Sequence, residues 1–360
     1  MRSTFGTITK RAHNKYYIQW SDHGTRRGKT INGTRATAQK ELSRIALRLS
    51  HTGGSITYSE YWEEYVTPTF GSLKPKTVSE YNRLWHTELE RRIGKWKVDE
   101  TTWRDVQGVI DDISAPSVQR KACTLWKKIM NMAMRDEFAQ KNPCTGIKFA
   151  PQSKRAKVLL AAQYLSDYLA KIEGITYEPI LLVLLGGGLS VCEACALTWQ
   201  DVTEWEGFAL VNIDKDVVTC DGHALHQAST KNDTRTREVV IGAPFARRLL
   251  ATKQVKLERS LCGNVSHSGK EVERLCEGAP STISHNYKAW CARNGVEYVR
   301  LGDMRSVYAT WCGEAGCLDS LVSLQMGHKD GTTRGEHYQQ ATRMGKALVA
   351  STLGAYLEGV

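Results

Sequence analysis

The sequence predicts a multidomain, mainly α-helical protein with small β-sheets, and three observations support that class. At 360 residues the chain is longer than one compact core usually organises, so two or three domains are expected. Its hydrophobic pattern changes period, from short alternating runs that end near residue 31 to spacings of three and four that dominate up to residue 147. A basic, proline-containing stretch with no apolar period, KFAPQSKRAK at 148–157, then separates that block from the rest. These changes divide the chain into a head at 1–50, a helical block at 55–147, a linker at 148–157 and a mixed α+β domain at 158–360.

In the head, Phe5–Thr9 and Tyr16–Trp20 read as strands, with Lys10–Lys15 as the turn between them. Gly24–Gly28 marks a second turn and Lys29–Ile31 a short third strand, which gives a small ββββ or βββα unit. Thr34 or Thr37 caps a helix in which Ala38, Leu42, Ile45 and Leu49 recur at helical spacing. Arg26, Arg27 and Lys29 then stand at a hairpin tip, where a small sheet can enter a DNA groove. HTGGS, His51–Ser55, reads as a flexible joint.

The helical block shows an aromatic stripe at Tyr58, Tyr61, Trp62 and Tyr65, then a helix capped by Thr77 that runs through Tyr81, Leu84 and Trp85. Val106, Val109, Ile110 and Ile113 make a further stripe, Val118–Met134 a long helix, and Pro143 ends the block. Aromatics at these spacings are core rather than base-stacking groups, which leaves Arg120, Lys121, Lys127 and Lys128 as the phosphate-contact candidates. After the linker, Ala161–Ile172 reads as a helix, Pro179–Leu189 as a buried one, and Phe208–Ile213 and Glu238–Ile241 as strands. The remainder is largely helical, and its last helix, Met344–Leu357, has an apolar face of Leu348, Val349, Leu353 and Leu357, to be covered either by a neighbouring protomer or by its own domain.

Composition narrows the function. The chain has no apolar run long enough to span a bilayer and an amino terminus without a signal-peptide core, so a cytoplasmic protein is expected. Ten scattered cysteines fit a reducing compartment, and the lone CxxC, Cys192 and Cys195, reads as small buried hydrophobes. The net charge of +11 is concentrated: +9 falls in residues 1–50 and +4 in residues 148–157, where Lys154, Arg155 and Lys157 sit. That placement points to phosphate contacts at two separate places.

Three segments in fixed order carry a specific resemblance. GGGLSVCEACALTWQDV at 186–202, STKNDTRTREVVI at 229–241, and RLGDMRSVYATW at 300–311 followed by LQMGHKDGTTRGEHYQQ at 324–340 resemble the conserved boxes of the tyrosine recombinases, or phage integrases. Glu193, Ala196, Leu197, Thr198, Trp199, Asp201 and Val202 occupy the first box; Asp303, Arg305, Gly327, His328 and Tyr338 the last. The resemblance implies an α+β recombinase catalytic domain, a helical core-site binding domain before it and an arm-site binding head. It implies Tyr338 as the nucleophile that forms a 3′-phosphotyrosyl link, with Arg305 as a phosphate clamp, His328 as a proton-handling group and Lys231 as the acid for the leaving oxygen. No cofactor and no metal are implied. The implied partners are double-stranded DNA at core and arm sites, a homotetramer in the synaptic complex and accessory DNA-bending or directionality proteins, with no membrane, in a bacterial or phage-infected cell and associated with its nucleoid.

Two positions depart from the pattern. Ser190 stands where the family has its first arginine, and Gly302 where it has its first histidine. Serine has neither charge nor bidentate fork, and losing one oxyanion donor typically costs about 10²–10³ in rate. Arg300, His337, Arg235 and Arg237 are the nearby cations, each expected on the surface or against the DNA backbone. The first expectation is therefore site-specific recombination or integration by a mobile element's enzyme. The alternative is a catalytically impaired recombinase-fold DNA-binding protein that regulates or complements an active partner, with a nicking topoisomerase a more distant third.

Overall fold

The computed structural model describes residues 6–22, 25–50, 56–152, 155–220, 223–227, 236–262, 274–328 and 342–360. The chain forms two compact units, Met1–Ser153 and Lys154–Val360, which divide inside the linker stretch that the sequence marks. The joint at 51–55 lies outside the described residues.

The first unit opens with an antiparallel sheet, β1 (Gly6–Ala12), β2 (Lys15–Asp22) and β3 (Thr25–Asn32), in that spatial order. Helix α1 (Arg35–Ser50) packs Ala38, Leu42 and Ile45 onto Ile18 and Trp20, and Thr34 caps it by accepting the Thr37 N–H at 3.2 Å. The head is thus a βββα unit. Its third strand starts earlier than the sequence suggests, because cross-strand pairing extends to Asp22↔Thr25. Arg26, Arg27 and Lys29 consequently lie along β3, opposite Ser21, Trp20 and Ile18, rather than at a hairpin tip.

The helical part of this unit begins at Thr57, whose hydroxyl and N–H both engage the Glu60 carboxylate in a capping box. Helix α2 (Pro75–Leu84) starts on its proline with Lys74 at the cap, so Thr77 lies inside the helix and does not cap it. Helices α3 (Trp103–Asp111) and α4 (Pro116–Arg135) complete the block. The aromatics are core, as their spacing predicts: Trp62 stacks on Trp85 with centroids 4.6 Å apart, and Tyr58 meets Trp126 edge-on at 5.8 Å. Arg44 of α1 pairs with Asp136, which also accepts the Tyr61 hydroxyl at 2.8 Å. The first residues of the linker dock on this unit: Lys148 exchanges two 2.9 Å hydrogen bonds with Gln107, and Arg120 covers the Phe149 ring at 4.8 Å.

In the second unit α5 (Glu178–Gly187) is buried along its length and ends at Gly188. That residue takes φ +62°, and a Cβ there would lie 2.4 Å from the Tyr308 ring, so only glycine closes the helix. The short helix α6 (Val191–Ala194) follows, then an antiparallel sheet of β4 (Val202–Trp205), β5 (Phe208–Ile213) and β8 (Arg237–Ile241) in the order β4-β5-β8. A separate ribbon pairs β6 (Asp216–Cys220) with β7 (His223–Gln227). The sequence reading found only β5 and β8. Helices α7 (Phe245–Cys262), α8 (Pro280–Asn294), α9 (Leu301–Glu314), α10 (Asp319–Met326) and α11 (Arg343–Gly359) enclose the core.

The last helix departs from expectation. Val349, Leu353 and Leu357 of α11 join the core of their own unit, and Ala347 and Ala350 pack on Leu210 and Val240. Only Leu348 of the expected docking face stays exposed, so most of the apolar area proposed for a neighbour is already covered in cis. Burial pushes the Cys195 thiol up to about 12, in keeping with an inert cysteine in the CxxC. Among the described residues no helix is long and apolar enough to cross a membrane.

Candidate active site

The second unit folds the first and last sequence boxes against each other. Ser190 is the N-cap of α6, with its hydroxyl 3.4 Å from the Glu193 N–H and its own N–H donating to Glu193 Oε2 at 2.8 Å. An S-x-x-E capping box thus occupies the position where the family pattern calls for an arginine. The box points the Glu193 carboxylate inward, where it is buried.

Two guanidinium groups meet that carboxylate. Arg237, the first residue of β8, places Nη1 3.2 Å from Oε1 and Nη2 3.3 Å from Oε2. Arg305, on α9, holds Nη1 3.8 Å from Oε2. Burial pushes the Glu193 pKa up, but the Arg237 charge and hydrogen bonds, with those of Ser190, outweigh it and hold the carboxyl below the usual range.

The same two arginines cap α10. Arg237 Nε donates to the Gln325 carbonyl at 2.7 Å and Arg305 Nη2 to the Met326 carbonyl at 2.6 Å. These are last-turn carbonyls without intrahelical partners, at the negative end of the helix dipole, so cations there are favourable. Gly327 ends the helix at φ +70°, and a Cβ there would come 2.9 Å from Arg237 Nη1. His328 follows directly, with its N–H held by the Ser323 carbonyl at 3.0 Å. The Gln325 side chain bonds both the N–H and the carbonyl of Val240 at 3.2 and 2.6 Å, which ties α10 to β8.

Of the sequence-derived catalytic residues, Arg305 and the turn that carries His328 are brought together through Met326. Tyr338 and Lys231 lie outside the described residues, as does Lys154. Gly302 is exposed in the first turn of α9, with nothing within 4 Å of where a Cβ would stand. Arg237 corrects the expectation of a surface or DNA-contacting cation, since it is buried and committed to Glu193. The available signal was a charge opening the run REVVI on the inward side of a strand, the face it shares with Val239 and Ile241. Gln325 was missed altogether, since a single glutamine in LQMGHK has no pattern to betray it.

Among the described residues the DNA-contact candidates other than Lys128 are exposed, but several are partnered. Lys29 pairs with Glu41 at 2.9 Å and Lys121 with Glu80 at 2.6 Å. In the second unit Arg155 pairs with Asp303, and Lys157 Nζ donates to Ser306 Oγ at 2.8 Å, so both linker cations lie against α9. Such exposed pairs contribute little to stability.

No family model matches the chain. One curated protein, a tyrosine recombinase XerC-like protein of Caldanaerobacter subterraneus subsp. tengcongensis, is 25% identical over 248 residues. That match covers 63% of this chain and 63% of the relative, less than two thirds of its length. Among solved structures, a fragment of the Tn1549 transposon integrase in complex with a circular intermediate DNA superposes with TM-score 0.62 at 17% identity, covering 83% of this chain and all of that one. A lambda integrase dimer bound to a core site gives 0.55 at 15% identity over 95% and 97% of the two chains, and a lambda integrase tetramer on a Holliday junction gives 0.56 at 14% over 93% and 98%. These likenesses establish the fold. The ordered boxes and the curated relative likewise make the chain similar to the tyrosine recombinases (phage integrases).

Proposed function

We propose that this protein is a site-specific DNA recombinase that cuts and rejoins strands through a phosphotyrosyl intermediate. The observation that carries the reading is the convergence of Glu193, Arg305 and the Gly327–His328 turn, which come from three distant segments, into one charged cluster. In this reading the Tyr338 hydroxyl attacks the scissile phosphorus and displaces the 5′ oxygen, to which Lys231 supplies a proton. Arg305 draws off the charge that builds on the non-bridging oxygens, and His328 orients or exchanges protons there. The phosphotyrosyl ester conserves the energy of the broken bond, so a second 5′-hydroxyl reverses the step without nucleotide hydrolysis.

The substrate is double-stranded DNA. The βββα head, with Arg26, Arg27 and Lys29 along one strand, contacts outlying arm sites, while Arg120, Lys121, Lys154, Arg155 and Lys157 hold core-site phosphates. Four protomers assemble on the synapsed sites, as lambda integrase does on its Holliday junction. The test is a nicked suicide duplex that carries the cognate core site. The wild-type chain is expected to leave a covalent protein–DNA adduct, and Tyr338→Phe to leave none while binding the duplex with unchanged affinity. An adduct that survives Tyr338→Phe overturns the assignment of the nucleophile.

A further inference from the structure

The vacancy at position 190 raises the question of what supplies the second positive charge that a phosphoryl-transfer site needs. Around Glu193 the described residues include two guanidinium cations and one carboxylate, which among themselves carry one net positive charge. The members differ in access: side-chain exposure is 1% for Glu193, 5% for Arg237 and 16% for Arg305. Contact with Glu193 is unequal too. Arg237 makes two hydrogen bonds to the carboxylate and Arg305 approaches it only to 3.8 Å. The neighbouring carboxylate on β8, Glu238, is matched separately by Arg343 through two 2.8 Å bonds.

We infer that Arg237 is a positioning residue that neutralises Glu193, so that the net charge of the cluster is expressed through Arg305 toward an anionic phosphate. Without Arg237 the carboxylate would cancel the Arg305 charge, and an approaching phosphate would meet a neutral pair. Arg237 thereby compensates from beneath the site for the guanidinium that Ser190 does not provide, without touching substrate itself. Its hold on the Gln325 carbonyl also fixes the turn that carries His328. The inference rests on the recombinase reading for its purpose, though not for its electrostatics.

Charge arithmetic sets an order that a purely structural bridge does not. Glu193→Gln leaves two positive charges, the wild type one, the double variant Arg237→Gln/Glu193→Gln one, and Arg237→Gln none. Titration of the full-length chain with inorganic phosphate should rank affinities in that order, with about tenfold between successive charge states and the double variant close to wild type. If Arg237 only braced the fold, Glu193→Gln would bind phosphate no better than wild type, and the double variant would fall below it. Either result overturns the inference.

Arg237→Gln leaves a buried uncompensated carboxylate and is the variant at risk of unfolding. The ranking of the other three proteins decides the matter without it. Arg237→Lys, which keeps the charge, should stay within about threefold of wild type. On the suicide duplex the same order should appear in the single-turnover rate of adduct formation at unchanged duplex affinity. A correct phosphate ranking with no adduct from any protein defeats the recombinase reading alone. An inverted ranking with brisk adduct formation defeats this inference alone.

Discussion

The aromatic core of the first unit and the charged cluster of the second show two ways to bury side chains. Around Trp62, Trp85, Trp126 and Tyr58 the contacts are apolar and largely non-directional, although they too join distant segments such as those of Tyr58 and Trp126. Around Glu193 three ionised groups from β8, α6 and α9 are taken out of water and must answer one another in geometry as well as charge. The first arrangement tolerates small shifts at little cost. The second does not, because an unanswered charge in the interior costs several kcal/mol while a matched one contributes little net stability. The chain keeps the costly arrangement next to the residues assigned to chemistry, as expected of a site kept for function rather than stability.

The comparison can be broken from either side. Trp85→Ala should cost about 3–5 kcal/mol by urea unfolding of the first unit, since it removes a fully buried indole and its stacking partner for Trp62. A loss under about 1 kcal/mol would show that the aromatic core closes up after truncation and is less tightly packed than described.

Ser190→Arg acts on the charged region. It removes the cap of α6 at about 1 kcal/mol of stability, yet should speed adduct formation by about 10²-fold by returning a donor to the phosphate. A wild-type protein that already cleaves briskly and is slowed by this change would mean that another cation occupies the clamp.

Gln325→Leu keeps the volume but strands the Val240 N–H and carbonyl, and should destabilise the second unit by about 1–3 kcal/mol in thermal unfolding. A neutral result would show that water or a shifted neighbour replaces those bonds.

Acid titration also separates the two regions. The Glu193 carboxyl lies below its unfolded value of 4.5, so its contribution to stability is complete above that pH and is lost as pH falls through the folded value. Glu193→Gln should therefore flatten the acid limb of the stability curve, leaving unfolding of the first unit untouched. An acid limb identical to wild type would mean that other carboxylates govern it.

The smallest effect is expected at Gly302. Alanine there meets open space in the first turn of α9 and should raise stability by about 0.5–1 kcal/mol, read as a modest rise in Tm. Destabilisation instead would imply a close approach at that position. Gly302→His should add only a small increment to adduct yield beside that of Ser190→Arg.

Much of this molecule was legible in the chain itself. Periodicity gave the aromatic stripe from Tyr58 to Tyr65, the long helix after Ala115 and the buried run before Gly188, because each depends on neighbours three or four residues away. Resemblance to the recombinase boxes singled out Arg305 and His328, and the clustering of lysine and arginine at the head and linker pointed to phosphate. Strands β4, β6 and β7 escaped, since runs of four or five residues owe their form to partners across the sheet. The α11 docking expectation failed for a related reason: an amphipathic helix announces an apolar face but not which surface will cover it. Only the tertiary structure decided that Arg237, 44 residues from Glu193, is that carboxylate's main partner. Hydrogen bonds and ion pairs act over a few ångströms in space, and a linear sequence carries no record of which distant side chains come within that reach.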